Sequence, residues 1–539
     1  MITFDYSPTV YWLIGYILAA AIVLATYKKT IPYSVWLVGG IALLFVMRLP
    51  VIVFNRELNP DESQMLSHAI TLFQDPVYWR SVDGTTIGPL DIYWLVIPRL
   101  FGFEINYTSG RFMGLISSAG ALLFLFFALK NWFGEKVARI SWLAPLFLLS
   151  FTQEVDFVHY SSEQIPVLLL AICVWFLSRL TGNLGQIRWN AYWLGFVAGA
   201  IPFAKLQAVP QALILVLGGL FYCYQFLKSR NGYLPTLTLL LGGITFPLLA
   251  LIWMLAFGVF QDMIDFYLLG NAVYADGKGF LEIPAQFHTI FRLAPDFEVF
   301  TYVLIVPIIL GVIQIFGPVV RKSSNLTLRF ILLFSVLGSI YAVTKSGNDF
   351  IHYLNFCIIP WTMLAAFGLK PIEKWALSIP VALLVWFAAV DGVGYLRERR
   401  LNNFDSVHAR TLAQSPVVQE LNKYRKEKDY MVVWGWQCTY YVEAQLAEGT
   451  AENHTERSIF DLPVREIYRK RFMSDLARTR PAFILDAVGK NSFWVQDKKT
   501  QGIGSYPALI KYVSDNYKYI GDFDGTDLYV RSDRAVLSQ

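Results

Sequence analysis

Four small groups of ionisable residues interrupt an otherwise apolar sequence, and their types suit acid–base and anion-binding chemistry. The first is Asn59-Pro60-Asp61-Glu62, directly after an apolar run. Adjacent carboxylates at such a point can cap a helix and favour its dipole. One of them can equally take a proton from an acceptor hydroxyl, which needs only placement and a suitable pKa. The second group, Glu154, Asp156, His159 and Glu163, fills a short connection between two apolar runs. It reads as a solvated turn, or as a place to orient an acceptor or hold a divalent cation, since carboxylate and imidazole are usual ligands. Its spacing matches no closed zinc motif.

The third is Lys205, in the tight turn Pro202-Phe203-Ala204-Lys205-Leu206-Gln207. A lysine there can snorkel to the membrane boundary, or present a point charge to a lipid phosphate. The fourth, from Lys345 to His352-Tyr353, opens a further apolar run. His352 and Tyr353 at a helix start offer donors where the dipole favours an anion, although an interfacial aromatic belt needs no ligand. All four groups fall on one predicted membrane face. A base for an acceptor and cations for a departing phosphate are what a lipid-linked phosphosugar reaction requires.

The elements that must position these groups are membrane spans. Of 539 residues 55% are hydrophobic and only 16% charged, against roughly 25% charged in soluble domains. Hydropathy gives about twelve spans, near 8–27, 32–54, 111–129, 138–152, 164–180, 189–204, 208–227, 234–258, 299–317, 326–344, 352–369 and 375–394. Alternate loops carry Lys28/Lys29, Lys130/Lys136/Arg139, Arg179/Arg188, Lys228/Arg230, Arg321/Lys322 and Lys370/Lys374, which makes them cytoplasmic. Loop 55–110, the other connections and residues 395–539 then lie outside the cytoplasm. The net charge of +5 is spread over helix ends and predicts no nucleic-acid partner. Residues 8–27 lack a basic n-region and a cleavage site, so they read as a retained span. Three of the four cysteines sit in apolar runs and Cys438 is alone, so no disulfide framework is expected.

Within loop 55–110, Met65, Leu66, Ala69, Ile70 and Phe73 form a helical stripe suited to the membrane surface. The Pro89–Phe101 stretch is apolar but too short to span. Residues 1–394 thus form a transmembrane domain. Short β-type runs at Tyr430–Trp434, Ala482–Leu485 and Asp527–Val530 predict a small α/β domain over 395–539.

The ordered set of motifs resembles the GT-C glycosyltransferases, and within them the bacterial relatives of protein O-mannosyltransferases and of the lipid A aminoarabinose transferase. Pro60-Asp61-Glu62 resembles the family's Asp-Glu pair in the first outer loop, and Gly88-Pro89-Leu90-Asp91-Ile92-Tyr93-Trp94 its Pro-Pro-Leu-Tyr segment. The stretch from Arg111-Phe112-Met113 to Trp132-Phe133-Gly134 is similar to an Arg-led helix ending in a Phe-Gly turn. Lys205, and His352-Tyr353 ahead of Pro360, fall where the family has a Lys and a His-Tyr. Val432-Val433-Trp434-Gly435-Trp436 resembles its outer domain. Two departures stand out: an additional first span, and Glu163 where an Asp is usual.

The resemblance implies inverting transfer from a polyprenyl-phosphate sugar to a protein, lipid or polysaccharide acceptor at the outer face of a bacterial plasma membrane. It would make Asp61 the base with Glu62 supporting it, and Lys205, His352, Tyr353 and Arg111 the donor-binding set. Glu163, His159 and Asp156 would line the opposite wall. No cofactor is required on this reading, with a divalent cation at Asp61, Glu163 or His159 optional. A lipid or sugar transporter and a catalytically silent protein of the same fold stay open. A transporter would place charges near the bilayer midplane and show paired halves.

Overall fold

The computed structural model describes residues 4, 10–28, 31–180, 184–230, 233–274, 279–317, 323–404 and 409–535. Lys29, Arg321 and Lys322 of the predicted basic loops lie outside them, as do the side chains of Lys228, Arg230 and Lys370. The chain forms two compact units. One comprises 1–53, 114–253 and 275–407; the other comprises 54–113, 254–274 and 408–539.

The first unit is helical. Among the described residues nine helices of the chain are long and apolar enough to cross a membrane. Twelve spans were expected, and the difference lies in α6 (Glu135–Phe151), α8 (Gln164–Ser178) and α9 (Leu184–Ala200). These are helical as expected, but at 17, 15 and 17 residues they fall short of the roughly 20 that cross a bilayer unaided. In α6 every residue from Ala138 to Phe151 is buried, so protein rather than lipid surrounds it.

Aromatic packing ties α6 to its neighbours. Trp142 lies 5.1 Å from Trp36 of α2 (Tyr33–Val53), and both rings meet Phe126 of α5 (Tyr107–Phe133). A different device joins α9 to α11 (Leu234–Phe257): a Cβ on Gly195 would stand 2.1 Å from the Leu239 carbonyl oxygen, and one on Gly242 2.0 Å from that of Tyr192. Only glycine allows two backbones so close, as in the small-residue seams of membrane helices.

The second unit is built on a five-stranded sheet ordered β2-β1-β3-β5-β4. The strands are β1 (Tyr430–Trp434), β2 (Ala447–Glu448), β3 (Phe483–Asp486), β4 (Tyr517–Phe523) and β5 (Thr526–Arg531). Strand β1 runs parallel to β2 and β3, whereas β5 is antiparallel to β3 and β4. Its alternation decides the two faces: Met431 and Val433 enter one core, Val432 and Trp434 the other.

Loop 55–110 belongs to this unit rather than to the helical one. Its α3 (Pro60–Gln74) is buried from Glu62 to Leu72, polar face included. On that face His68 Nδ1 lies 2.9 Å from Glu448 Oε2 of β2, and Asn453 Nδ2 donates to Ser67 Oγ and Glu448 Oε1. The apolar stripe suggested a surface helix. The buried His68, Ser67 and Thr71 show that protein covers its other side. The second segment is α4 (Pro89–Leu100), after which Phe101 and Phe103 remain exposed.

Candidate active site

In the helical unit the turn around Lys205 is made by two opposed constraints. Pro202 cannot continue the hydrogen bonding of α9, and the chain tightens into the 3-10 turn Ile201–Phe203. Lys205 is extended, with φ −155° and ψ 126°, before a second turn at Leu206–Ala208 leads into α10 (Val209–Arg230). This break turns the ammonium inward: Lys205 is 4% exposed. Its Nζ donates to Ser162 Oγ at 2.6 Å and to Glu163 Oε1, and lies 5.0 Å from the centre of the Tyr353 ring.

Glu163 stands at the start of α8 and is fully buried. Burial alone would raise its carboxyl, but Lys205 and His352 outweigh that and hold it down to about 2. Its second oxygen, Oε2, has no hydrogen-bond partner in range among the described residues, although the nearby Ser161 hydroxyl adds to the stabilisation of the carboxylate. Close by is α7 (Val155–Val158), whose Val155 carbonyl accepts His159 Nδ1–H at 2.8 Å. That bond makes Nδ1 a donor, so Nε2 is the acceptor whenever the ring is neutral, and Nε2 is likewise buried without a partner among the described residues. His352 turns its Nδ1 to Asp156 Oδ1 at 3.1 Å, and its ring centre is 5.7 Å from that of His159. The Asp156 carboxyl, pushed up by burial, is brought below its ordinary value by His352 and His159.

Asp156, His159, Glu163, Lys205, His352 and Tyr353 are thus brought together. Asp61, Glu62 and Arg111 belong to the second unit. There Asn59 caps α3 by accepting the Asp61 N–H at 3.0 Å, with Pro60 in the first turn. The cap role is therefore filled by Asn59, and Asp61 is half-buried, with no side-chain hydrogen bond to its carboxylate among the described residues. Glu62 is buried and engaged on both oxygens: Arg111 Nε donates to Oε1 at 2.8 Å and Nη2 to Oε2 at 2.6 Å. Arg111 also donates to the carbonyls of Phe54 and Arg56.

Three further groups were not singled out from sequence. Ser162 completes the Lys205 cradle. Arg48, buried near the end of α2, donates to the Phe157 carbonyl at 2.6 Å and so holds the end of α7. In the second unit Glu57 accepts hydroxyls from Ser63 at 2.6 Å and Thr439 at 2.7 Å, and burial raises its carboxyl. A charged residue inside an apolar run was the available signal for Arg48. Among the described residues no group of three or more His, Cys, Asp or Glu is placed to hold a metal ion.

Membrane-length helices, three shorter helices and a small mixed sheet are the elements of an integral membrane protein, and its fold is that of the GT-C glycosyltransferases. In particular, the structure is similar to that of ArnT from Cupriavidus metallidurans bound to undecaprenyl phosphate. The TM-score is 0.57 at 12% identity, over 92% of this chain and 98% of that one. The same protein in its apo state matches over the same extents, with a TM-score of 0.50 and 14% identity. At such identities the likeness is one of fold. No protein-family model and no curated protein matches the sequence.

Proposed function

We propose that this chain is an inverting glycosyltransferase that takes a sugar from a polyprenyl-phosphate carrier at the extracytoplasmic face of the membrane. The observation that carries the reading is the unused capacity of the Lys205 cluster. Beside the Lys205 ammonium, Glu163 Oε2 and His159 Nε2 are buried and have no hydrogen-bond partner in range among the described residues. A cationic donor beside two acceptors complements an anionic phosphate oxygen beside sugar hydroxyls. Leaving such groups unsatisfied costs about 1–3 kcal/mol each, a cost that a ligand would recover. An apolar cavity of about 260 Å3, lined by Gly195, Gly199, Pro202, Val209, Leu240 and Gly243, suits a prenyl chain and reaches the turn that carries Lys205.

In this mechanism Lys205 stabilises negative charge as the bond from the anomeric carbon to the phosphate oxygen breaks. Glu163 and His159 accept sugar hydroxyls and fix the ring, while Asp156 orients His352. The acceptor oxygen bonds to the anomeric carbon as the phosphate leaves with the bonding electrons, which inverts the configuration, and the base assigned to the acceptor's proton, from the motif resemblance alone, is Asp61. Arg111 and Glu62 act by positioning the start of α3. No step calls on a cofactor. The acceptor is a protein, lipid or polysaccharide hydroxyl. The fold likeness to a protein bound to undecaprenyl phosphate supports the carrier class.

The test is incubation of the purified protein with a panel of polyprenyl-phosphate sugars, measuring transfer and donor binding. Tight binding of one donor that Lys205→Ala abolishes is the expected result. Failure of every phosphosugar to bind refutes the reading.

A further inference from the structure

In the α/β unit an exposed tryptophan sits on strained backbone. Trp494 has φ +63° and is 49% exposed. The Val495 N–H donates to the Phe493 carbonyl at 2.8 Å, closing a three-residue turn around it. A γ-turn with positive φ at its centre is the rare, strained form, and a bulky aromatic is among the least tolerant residues there. Strain is normally offset by burying the side chain it places, but this ring faces solvent. Strain kept where packing covers only about half of the side chain points to function.

The turn displays a platform. The Phe493 ring, 40% exposed, stacks with Trp494 at 4.9 Å and 23°. Trp436 stands edge-on to both, 5.3 Å from each. The loop is pinned from below, since Ser492 Oγ accepts the Trp436 N–H and the Phe493 N–H donates to the Trp436 carbonyl. Trp436 is only 8% exposed, and its indole N–H has no acceptor among the described residues. Against it lies His454, with ring centres 4.3 Å apart. Asn453 spends its amide N–H groups on Gln64, Ser67 and Glu448, so its Oδ1 accepts His454 Nδ1–H. The remaining His454 Nε2 is then an acceptor, consistent with burial lowering this imidazole to about 3.

We propose that Phe493 and Trp494, with Trp436 and His454 at their root, form a saccharide-binding site on the α/β unit. One face of a pyranose presents polarised C–H groups that stack on the negative face of an aromatic ring. Its rim carries hydroxyls that are both donor and acceptor, the complement of an indole N–H beside an imidazole nitrogen. Other occupants fit less well. Two rings cannot supply the roughly 1,000 Å2 of a stable protein interface. A loop dipping into a bilayer would not be flanked by Lys490, Asn491, Gln496 and Asp497. The site lies in a different unit from the Lys205 cluster, and saccharide binding here requires no transfer reaction.

Saturation-transfer NMR on the full chain in nanodiscs, with lactose, maltotriose and chitotriose as probes, tests this. At least one should receive saturation on its C–H face. Trp494→Asn, in which Asn tolerates positive φ, should weaken that binding about tenfold, the scale of one lost stacking ring. Trp436→Phe should weaken it a few-fold. Trp494→Gly, relieved of strain, should melt at or above the parent midpoint, which shows that lost binding is not lost folding. Lys205→Ala should leave the saccharide signal intact, so a failed transferase reading does not decide this one. Absence of binding by all three sugars overturns the proposal. So does binding unchanged in Trp494→Asn, and so does Trp494-dependent quenching by brominated phosphatidylcholine without any sugar effect, which would make the platform a membrane anchor.

Discussion

The two units each bury a carboxylate–cation pair, and the pairs are built differently. In the α/β unit Arg111 grips Glu62 through two parallel bonds and spends its other donors on the Phe54 and Arg56 carbonyls. The planar guanidinium fits this fork and is thereby saturated. In the helical unit Lys205 meets Glu163 at a single oxygen, and Glu163 Oε2 has no hydrogen-bond partner in range among the described residues. Both pairs pay the desolvation of two ions. Among the described residues only the second leaves a carboxylate oxygen without a hydrogen-bond partner. Burial and charge are common to both, so this difference is what the substitutions below test.

The largest effects should fall on the groups assigned to the reaction. Asp61→Asn should cut turnover by about 10²–10⁴, the usual range for loss of a general base. The fold should be unchanged, because the cap belongs to Asn59. A sugar-transfer assay with a melting curve checks this, and near-parent turnover would move the base to Glu57 or Glu163. Lys205→Ala comes next, at about 10²–10³ in transfer, with a further stability cost of roughly 3–5 kcal/mol from the stranded Glu163. The double variant Lys205→Met with Glu163→Gln removes both charges. It should regain most of the stability and none of the transfer. Recovery of transfer would make this pair a clamp like the other one.

The saturated pair should behave in the opposite way. Arg111→Met alone leaves Glu62 buried and unpaired, again about 3–5 kcal/mol. Adding Glu62→Gln should restore the melting midpoint to near the parent and keep transfer within about tenfold, with donor KM unchanged. A raised donor KM in the stable double variant would return Arg111 to the phosphate-binding set that the sequence resemblance implies.

What the sequence displayed follows from cost. Ionised groups in apolar surroundings are expensive and stand out, so Glu163, Lys205 and His352 were legible as types. Their pairing was not, because His352 finds Asp156 across 196 positions and Arg111 finds Glu62 across 49. Periodicity and β-branched residues disclosed β1, β3 and β5, whereas β2 is two residues long and β4 carries Lys518, Gly521 and Asp522 on an edge. Arg48 was a charge inside an apolar run that went unread, and its guanidinium is buried with the Phe157 carbonyl of α7 as its acceptor. The apolar stripe of α3 revealed one face only. That its polar face also meets protein depends on residues almost 400 positions later.

The smallest effect, and a check on the comparison without any substrate, is the pH dependence of stability. Glu163 in the helical unit is held down to about 2 by Lys205 and His352 against its burial. A lowered carboxyl contributes stability that is complete above its unfolded value near 4.5 and is lost as pH falls through about 2. Glu452 in the α/β unit is raised to about 8, first by burial, with the Ser458 hydroxyl only partly opposing this. A raised carboxyl has the reverse sign, because the folded state holds its proton longer than the unfolded chain does. Its contribution is complete below about 4.5 and is lost as pH rises through about 8. Melting midpoints of the detergent-solubilised protein from pH 3 to 9 should therefore respond oppositely to two substitutions. Glu163→Gln should flatten the acid limb, and Glu452→Gln the limb between pH 5 and 8. If both substitutions act on the same limb, Glu163 is not held ionised by Lys205, and the contrast between an open pair and a closed one fails at its electrostatic root.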